Sequence, residues 1–233
     1  VASRGLGDVY KRQYVRYSAF AGLLKGNDNL TKEQFRNNRN LQFRSPIIEL
    51  SAQYEFSITK DKTGHRYNIR SAKGIRGVHF QVYLFLGAGI SGFYPLAPYP
   101  KGGWVALRPL HTEGQGMPNG PVRQYWPVTI VIPYGIGYKH PITRLLSIGV
   151  EAGVRYTFSD YLDDVSTNYY DPVLLKQKYG NVAAIMSNPP NNSNPSWTAP
   201  GQQRGDPKHK DVYMFLSVNL SRKLAPKRTK AKF

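Results

Sequence analysis

A strict period-two alternation, carried through six segments of about ten residues or more, most constrains what this chain can fold into. Leu146, Ile148, Val150, Ala152, Val154, Tyr156 and Phe158 fall on one face, and the residues between them (Ser147, Gly149, Glu151, Gly153, Arg155, Thr157, Ser159) include no apolar side chain larger than glycine. The same two-faced pattern runs through Val128–Lys139, Ile48–Ile58 and Val212–Ser221, and nearly as cleanly through Tyr14–Lys25 and Val78–Tyr94. Ordinary half-buried strands are about 5–6 residues long. Segments of about 9–11 residues match what a tilted strand needs to cross a bilayer.

Long strands that are apolar on one face and small or polar on the other predict an all-β fold. The expected architecture is an antiparallel up-and-down transmembrane β-barrel of the eight-stranded outer-membrane type, with six of its strands in this chain. Closure carries the membrane reading, because hydrocarbon tolerates no unpaired backbone N–H or C=O. Tyr54, Phe56, Tyr138, Tyr156, Phe158 and Tyr213 are assigned to the interfacial aromatic girdles. A soluble sandwich or lipocalin-like barrel also alternates, but its apolar face points inward and its other face must suit water. Here the second face is rich in Gly and Ser with few charges, which fits a narrow lumen better than a wet surface.

The connections divide in the same way. Residues 140–144 (HPITR) make a short turn, whereas 27–43, 96–125 and 160–210 are long and rich in Pro, Asn and Gly, and are expected on the extracellular side. The run 59–77 is long where a short periplasmic turn is expected. With 32 Lys+Arg against 14 Asp+Glu the chain carries +18, yet the cations are spread over loops, turns and tail with no recognition helix or stacking platform, so nucleic acid is not an expected partner. No cysteine is present, which excludes disulfides and thiolate metal sites.

Five runs occur in a telling order: RNLQFRSPIIELSAQYEF, GGWVALRPLHTEGQG, VTIVIPYGIGYK, GVEAGVRYTFSDYLDDVSTNYYDP and QRGDPKHKDVYMFLSVNLS. Together they resemble the PorG family, outer-membrane β-barrels associated with the type IX secretion system and its gliding-motility relatives. The resemblance runs from about Tyr14 to Leu224, and Arg155–Asp171 is its most specific piece. It implies an eight-stranded barrel in outer-membrane lipid that anchors a periplasmic ring of PorK and PorN type, without catalysis and without a cofactor. A passive barrel, either a small porin or an adhesin displaying its long loops, is the alternative.

The stretch SRGLGDVYKRQ (Ser3–Gln13) reads as an in-frame translation of a transposase-type sequencing adapter, so residues 1–13 are set aside as an artefact. Setting them aside removes Arg4, Lys11, Arg12 and Asp8 and leaves +16, so the basicity belongs to the rest of the chain. The family pattern places an export signal and two strands ahead of Tyr14–Lys25. Residues 14–224 are therefore read as a barrel lacking its first two strands, with open edges that would not close into a regular barrel unaided.

Glu49, Glu55, Glu151 and Arg155 fall on the lumen face, as does Arg16 in the first segment. A gated ion path is one reading; a salt-bridge network filling a lumen just wide enough for side chains is the preferred one. Strand order pairs Glu49 with Arg155 near the outer end and Arg16 with Glu55 near the periplasmic end. Asp160, Asp163, Asp164 and Asp171 cluster where a strand exits outward, but their spacing does not match a calcium loop. They read as solvated loop carboxylates or partners of nearby cations. The five histidines lack zinc spacing, and no metal is expected. The basic tail 225–233, with Lys227, Arg228, Lys230 and Lys232, follows the last strand into the periplasm and is a candidate docking segment for a ring protein.

Overall fold

A computed structural model of the chain describes residues 13–59, 80–143, 146–189 and 194–222. Strands form where the alternation is longest: β1 (Gln13–Asn27), β2 (Gln42–Ser57), β3 (Gln81–Phe93), β6 (Val128–Pro141), β7 (Leu146–Thr157) and β8 (Val212–Arg222). Between β3 and β6 lies a short hairpin, β4 (Leu96–Pro98) and β5 (Trp104–Ala106). Three helices occur in the connections: α1 (Gln34–Arg39), α2 (Pro172–Tyr179) and α3 (Asn181–Ser187).

The six long strands make one antiparallel meander, β1-β2-β3-β6-β7-β8, and β4 joins β2 at the Arg44–Leu96 pair. The sheet curls into a half-barrel. In a flat sheet, three strand spacings would hold β2 and β7 about 14 Å apart, yet Glu49 and Arg155 on those strands meet across the concave face at 2.9 Å. Among the described residues β1 pairs only with β2 and β8 only with β7, so both outer edges of the sheet are free.

The distribution of side chains is inverted relative to a water-soluble domain. On the convex face Ile48, Leu86, Ile130 and Leu216 are 66%, 59%, 56% and 75% exposed, while on the concave face Glu49, Ser57 and Thr157 are fully buried. Each strand alternates between these two environments, as in β8, where Val212, Met214, Leu216, Val218 and Leu220 face outward. Tyr213 belongs to the other set: it faces the concave side and its hydroxyl donates to Glu49 Oε2 at 3.2 Å, which removes it from the outward aromatic girdle. Among the described residues no helix is long and apolar enough to cross a membrane.

All three long connections lie at one end of the sheet, and the turn between β6 and β7 lies at the other. They are folded rather than loose. Glu33 caps α1 through the amides of Phe35 and Arg36, and Asp171 caps α2 through the amide of Val173. Ala97, Leu107 and Met186 are buried together, with Tyr99, Leu110 and Val182 against them, which gives the connections a small core of their own. One apolar cluster (Ile47, Phe93, Tyr125 and Leu162, with Phe20, Leu24, Tyr161 and Tyr213 against it) joins this cap to the mouth of the half-barrel. Polar composition hid the cap because its apolar residues are few and follow no regular period. The run 59–77 beyond Thr59 and the tail cations lie outside the described residues, as does the adapter-like stretch apart from Gln13.

Candidate functional site

Two charged layers fill the concave interior. In the layer nearer the cap, Arg155 donates through Nε to Glu49 Oε2 at 2.9 Å and through Nη2 to Glu49 Oε1 at 3.4 Å. Both side chains are almost completely buried. The guanidinium lies over the Phe215 ring at 3.6 Å and the Phe20 ring at 5.4 Å, so rings replace the water it has lost.

In the second layer Arg16 lies 3.0 Å from Glu55 Oε1 and donates to both oxygens of Glu151 and to Gln53 Oε1. Tyr83 donates its hydroxyl to Glu151 at 2.5 Å, and Gln53 passes the network on to Ser51 at 3.0 Å. Lys139, on the inward face of β6, adds a third cation to the two arginines, so three positive groups face three carboxylates. The pairing of Arg16 with Glu151 is additional to the expected pair with Glu55. Strand order alone did not reveal it, because the curl that brings β1 to β7 is a property of the whole sheet.

Glycines make the space. A Cβ on Gly137 would lie 2.2 Å from Tyr83 Cζ, and one on Gly153 would lie 2.5 Å from Phe215 Cε1. The aromatic side chains that hold the charged layers therefore occupy volume that any larger residue would fill. Among the described residues no group of three or more His, Asp or Glu side chains is placed to hold a metal ion.

Above the lumen, Arg204 ties two of the connections together. Its Nη1 donates to Glu113 Oε1 at 3.1 Å, to the Asp164 carbonyl at 2.6 Å and to Thr112 Oγ1 at 3.2 Å. Glu113 in turn accepts from the amides of Ser166 and Thr167 at 2.8 and 3.1 Å and from the Thr167 hydroxyl at 2.7 Å. The connection between β1 and β2 joins through Arg39, which donates to Asp28 at 2.7 Å and to the Arg204 carbonyl at 2.7 Å. Sequence reading missed Arg204 and Glu113. Their signal was present only as membership of two of the five ordered runs.

The acidic residues of this region do not share one role. Asp164 is buried, not solvated, and accepts from the hydroxyls of Thr112 at 2.5 Å and Tyr125 at 2.6 Å; burial pushes its carboxyl up to about 7. Asp160 is also buried and raised by that burial, and Asp163 accepts from the amide of Val165 at 3.0 Å. Burial raises Asp163 and Asp211 as well, and the charge of Asp163 adds to the rise at Asp211. Asp171 stands apart as the cap of α2.

A family described as a domain of unknown function, DUF6089, matches residues 96–185. That span contains β4 through α2 and most of α3, with Thr112, Glu113, Tyr125, Arg155 and Asp164 of the two networks. No curated protein and no solved structure matches the chain.

Proposed function

We propose that this chain is an outer-membrane β-barrel protein of PorG type, a non-catalytic anchor for a type IX secretion complex. The observation that carries the membrane reading is the inversion of the two faces. Water-exposed proteins seldom present apolar patches beyond a few hundred Å², whereas here the outward side chains along the middle of every long strand are apolar and the carboxylates and arginines between them are paired inside. A bilayer rewards that arrangement and a lumen of eight-strand width accepts it. A bilayer also demands that the free edges of β1 and β8 be paired. The ordered runs quoted above support the secretion role, with ring proteins of PorK and PorN type as the partners. Carboxylates and guanidiniums of the interior are consumed by one another, which supports anchoring over chemistry.

Two measurements test this. A membrane barrel fractionates with the outer membrane and migrates differently on gels with and without heating in detergent. Crosslinking in cells followed by purification then separates an anchor, which brings ring proteins with it, from a passive barrel, which brings none. The folded cap favours display of loops as the second reading, so the crosslinked partner decides between them.

A further inference from the structure

Lys25 and Arg44 are directly paired across β1 and β2. Both continue the outward phase of their strands, so their side chains share the convex face. Like charges placed opposite one another in a sheet destabilise it. Four other buried or half-buried arginines have carboxylate partners (Arg16 with Glu55, Arg39 with Asp28, Arg155 with Glu49, Arg204 with Glu113), and Arg108 donates to the Tyr125 carbonyl. Among the described residues no carboxylate lies within ion-pair reach of Lys25 or Arg44.

Arg44 is held in place instead by an aromatic ring. Its guanidinium lies 4.0 Å from the centre of the Trp104 ring on β5, and that tryptophan is 38% exposed. The ring fixes one face of the guanidinium and leaves its edge donors free for an outside acceptor. The height of the pair on the barrel matters too. The outward residues from Val15 to Leu23 on β1 and from Phe56 to Ile48 on β2 form an apolar band, and Lys25 and Arg44 stand just beyond its cap-side end. Nine residues of tilted strand make a band about 20–25 Å tall, the height of an outer-membrane hydrocarbon belt. The two cations therefore stand at headgroup depth, where an indole ring is also favoured.

We propose that Lys25, Arg44 and Trp104 form a binding site for the phosphate of an anionic lipid headgroup at the cap-side membrane boundary, a proposal that rests on the membrane reading above. One phosphate bridging the two cations converts their repulsion into two charge-assisted hydrogen bonds, while Trp104 orients the guanidinium.

The test uses the full chain reconstituted in vesicles of equal parts phosphatidylcholine and phosphatidylglycerol, extracted in mild detergent and weighed by native mass spectrometry. Phosphatidylglycerol is expected to be retained over phosphatidylcholine. The K25Q/R44Q double variant is expected to lose about tenfold in that preference, while Arg222→Gln, at the far end of β8, keeps it. Heat-modifiable migration checks that each variant is folded. Equal retention of both lipids, an unchanged preference in the double variant, or displacement of the lipid by inorganic phosphate would overturn the proposal while leaving the barrel in the membrane. A chain that stays outside vesicles even as an edge-to-edge pair of copies, in which β1 of each meets β8 of the other, would overturn both readings.

Discussion

Arg155 and Glu49 are 106 residues apart in the chain and three strands apart in the sheet, yet they form a two-pronged ion pair inside the half-barrel. Neither has water to fall back on. Removing one partner leaves the other buried and unpaired, at a cost of about 3–5 kcal/mol, whereas replacing both with apolar groups is far milder. Glu49→Ala and Arg155→Ala should each lower the urea midpoint of the detergent-folded chain. The E49L/R155M double variant should recover at least half of that loss, so a double variant as unstable as the sum of the singles would count against a paired site.

Gly137 tests the packing of the second layer. Its missing Cβ is the space that Tyr83 occupies while it donates to Glu151. Gly137→Val should displace the ring and free the carboxylate, at a cost of about 1–3 kcal/mol. Gly92→Ala, where the nearest atoms to a new Cβ are the Pro127 and Ile48 carbonyl oxygens at 3.8 and 4.0 Å, should cost less in the same unfolding assay.

The cap should loosen as pH rises. Asp164 has an ordinary value of 3.8 and stands at about 7 in the folded cap, so the folded state holds its proton more tightly than the unfolded one. Its contribution is complete below about 4 and is lost as pH climbs through about 7. Asp163 and Asp211 are raised too and act in the same direction. Hydrogen exchange of the amides of residues 160–170, corrected for intrinsic rates, should show greater protection at pH 5.5 than at pH 8.5. Asp164→Asn, which still accepts from Tyr125 or Thr112, should flatten much of that difference.

Arg204 should hold the cap without holding the barrel. Its partners are Glu113, Thr112 and the Asp164 carbonyl, all in the connections. Arg204→Ala leaves Glu113 buried without its cation, again a loss of about 3–5 kcal/mol, but confined to the cap. Protease should then cut within residues 160–210 many times faster while the heat-dependent gel shift persists. Loss of both together would mean that cap and barrel fold as one unit.

Leu216 reports on what surrounds the convex face. It is 75% exposed and sits midway along the outward set of β8. Leu216→Arg costs about 2–4 kcal/mol at the middle of a bilayer and close to nothing in water. Folding into vesicles should therefore be weakened, and an unchanged folding free energy would contradict the membrane reading.

The long strands and the phase of every face were legible in the residues themselves, because a side chain in an extended backbone has only two directions to take and the alternation of Leu146–Phe158 or Val212–Ser221 states which one. Glu49, Glu55, Glu151, Arg16 and Arg155 were placed on the inner face by that rule alone. Tyr213 was misassigned to the outer aromatic girdle because aromatic character at a strand end outweighed its phase; the structure gives it to Glu49.

What strand phase does not contain is curvature or the meeting of distant loops. That Arg16 reaches Glu151 depends on how sharply six paired strands curl. That Arg204 finds Glu113 depends on three connections packing over the mouth, through contacts 91 residues apart that follow no period. Local backbone geometry repeats every two residues and can be read from sequence. Burial of a single arginine is decided by everything folded around it, and only the tertiary structure supplies that.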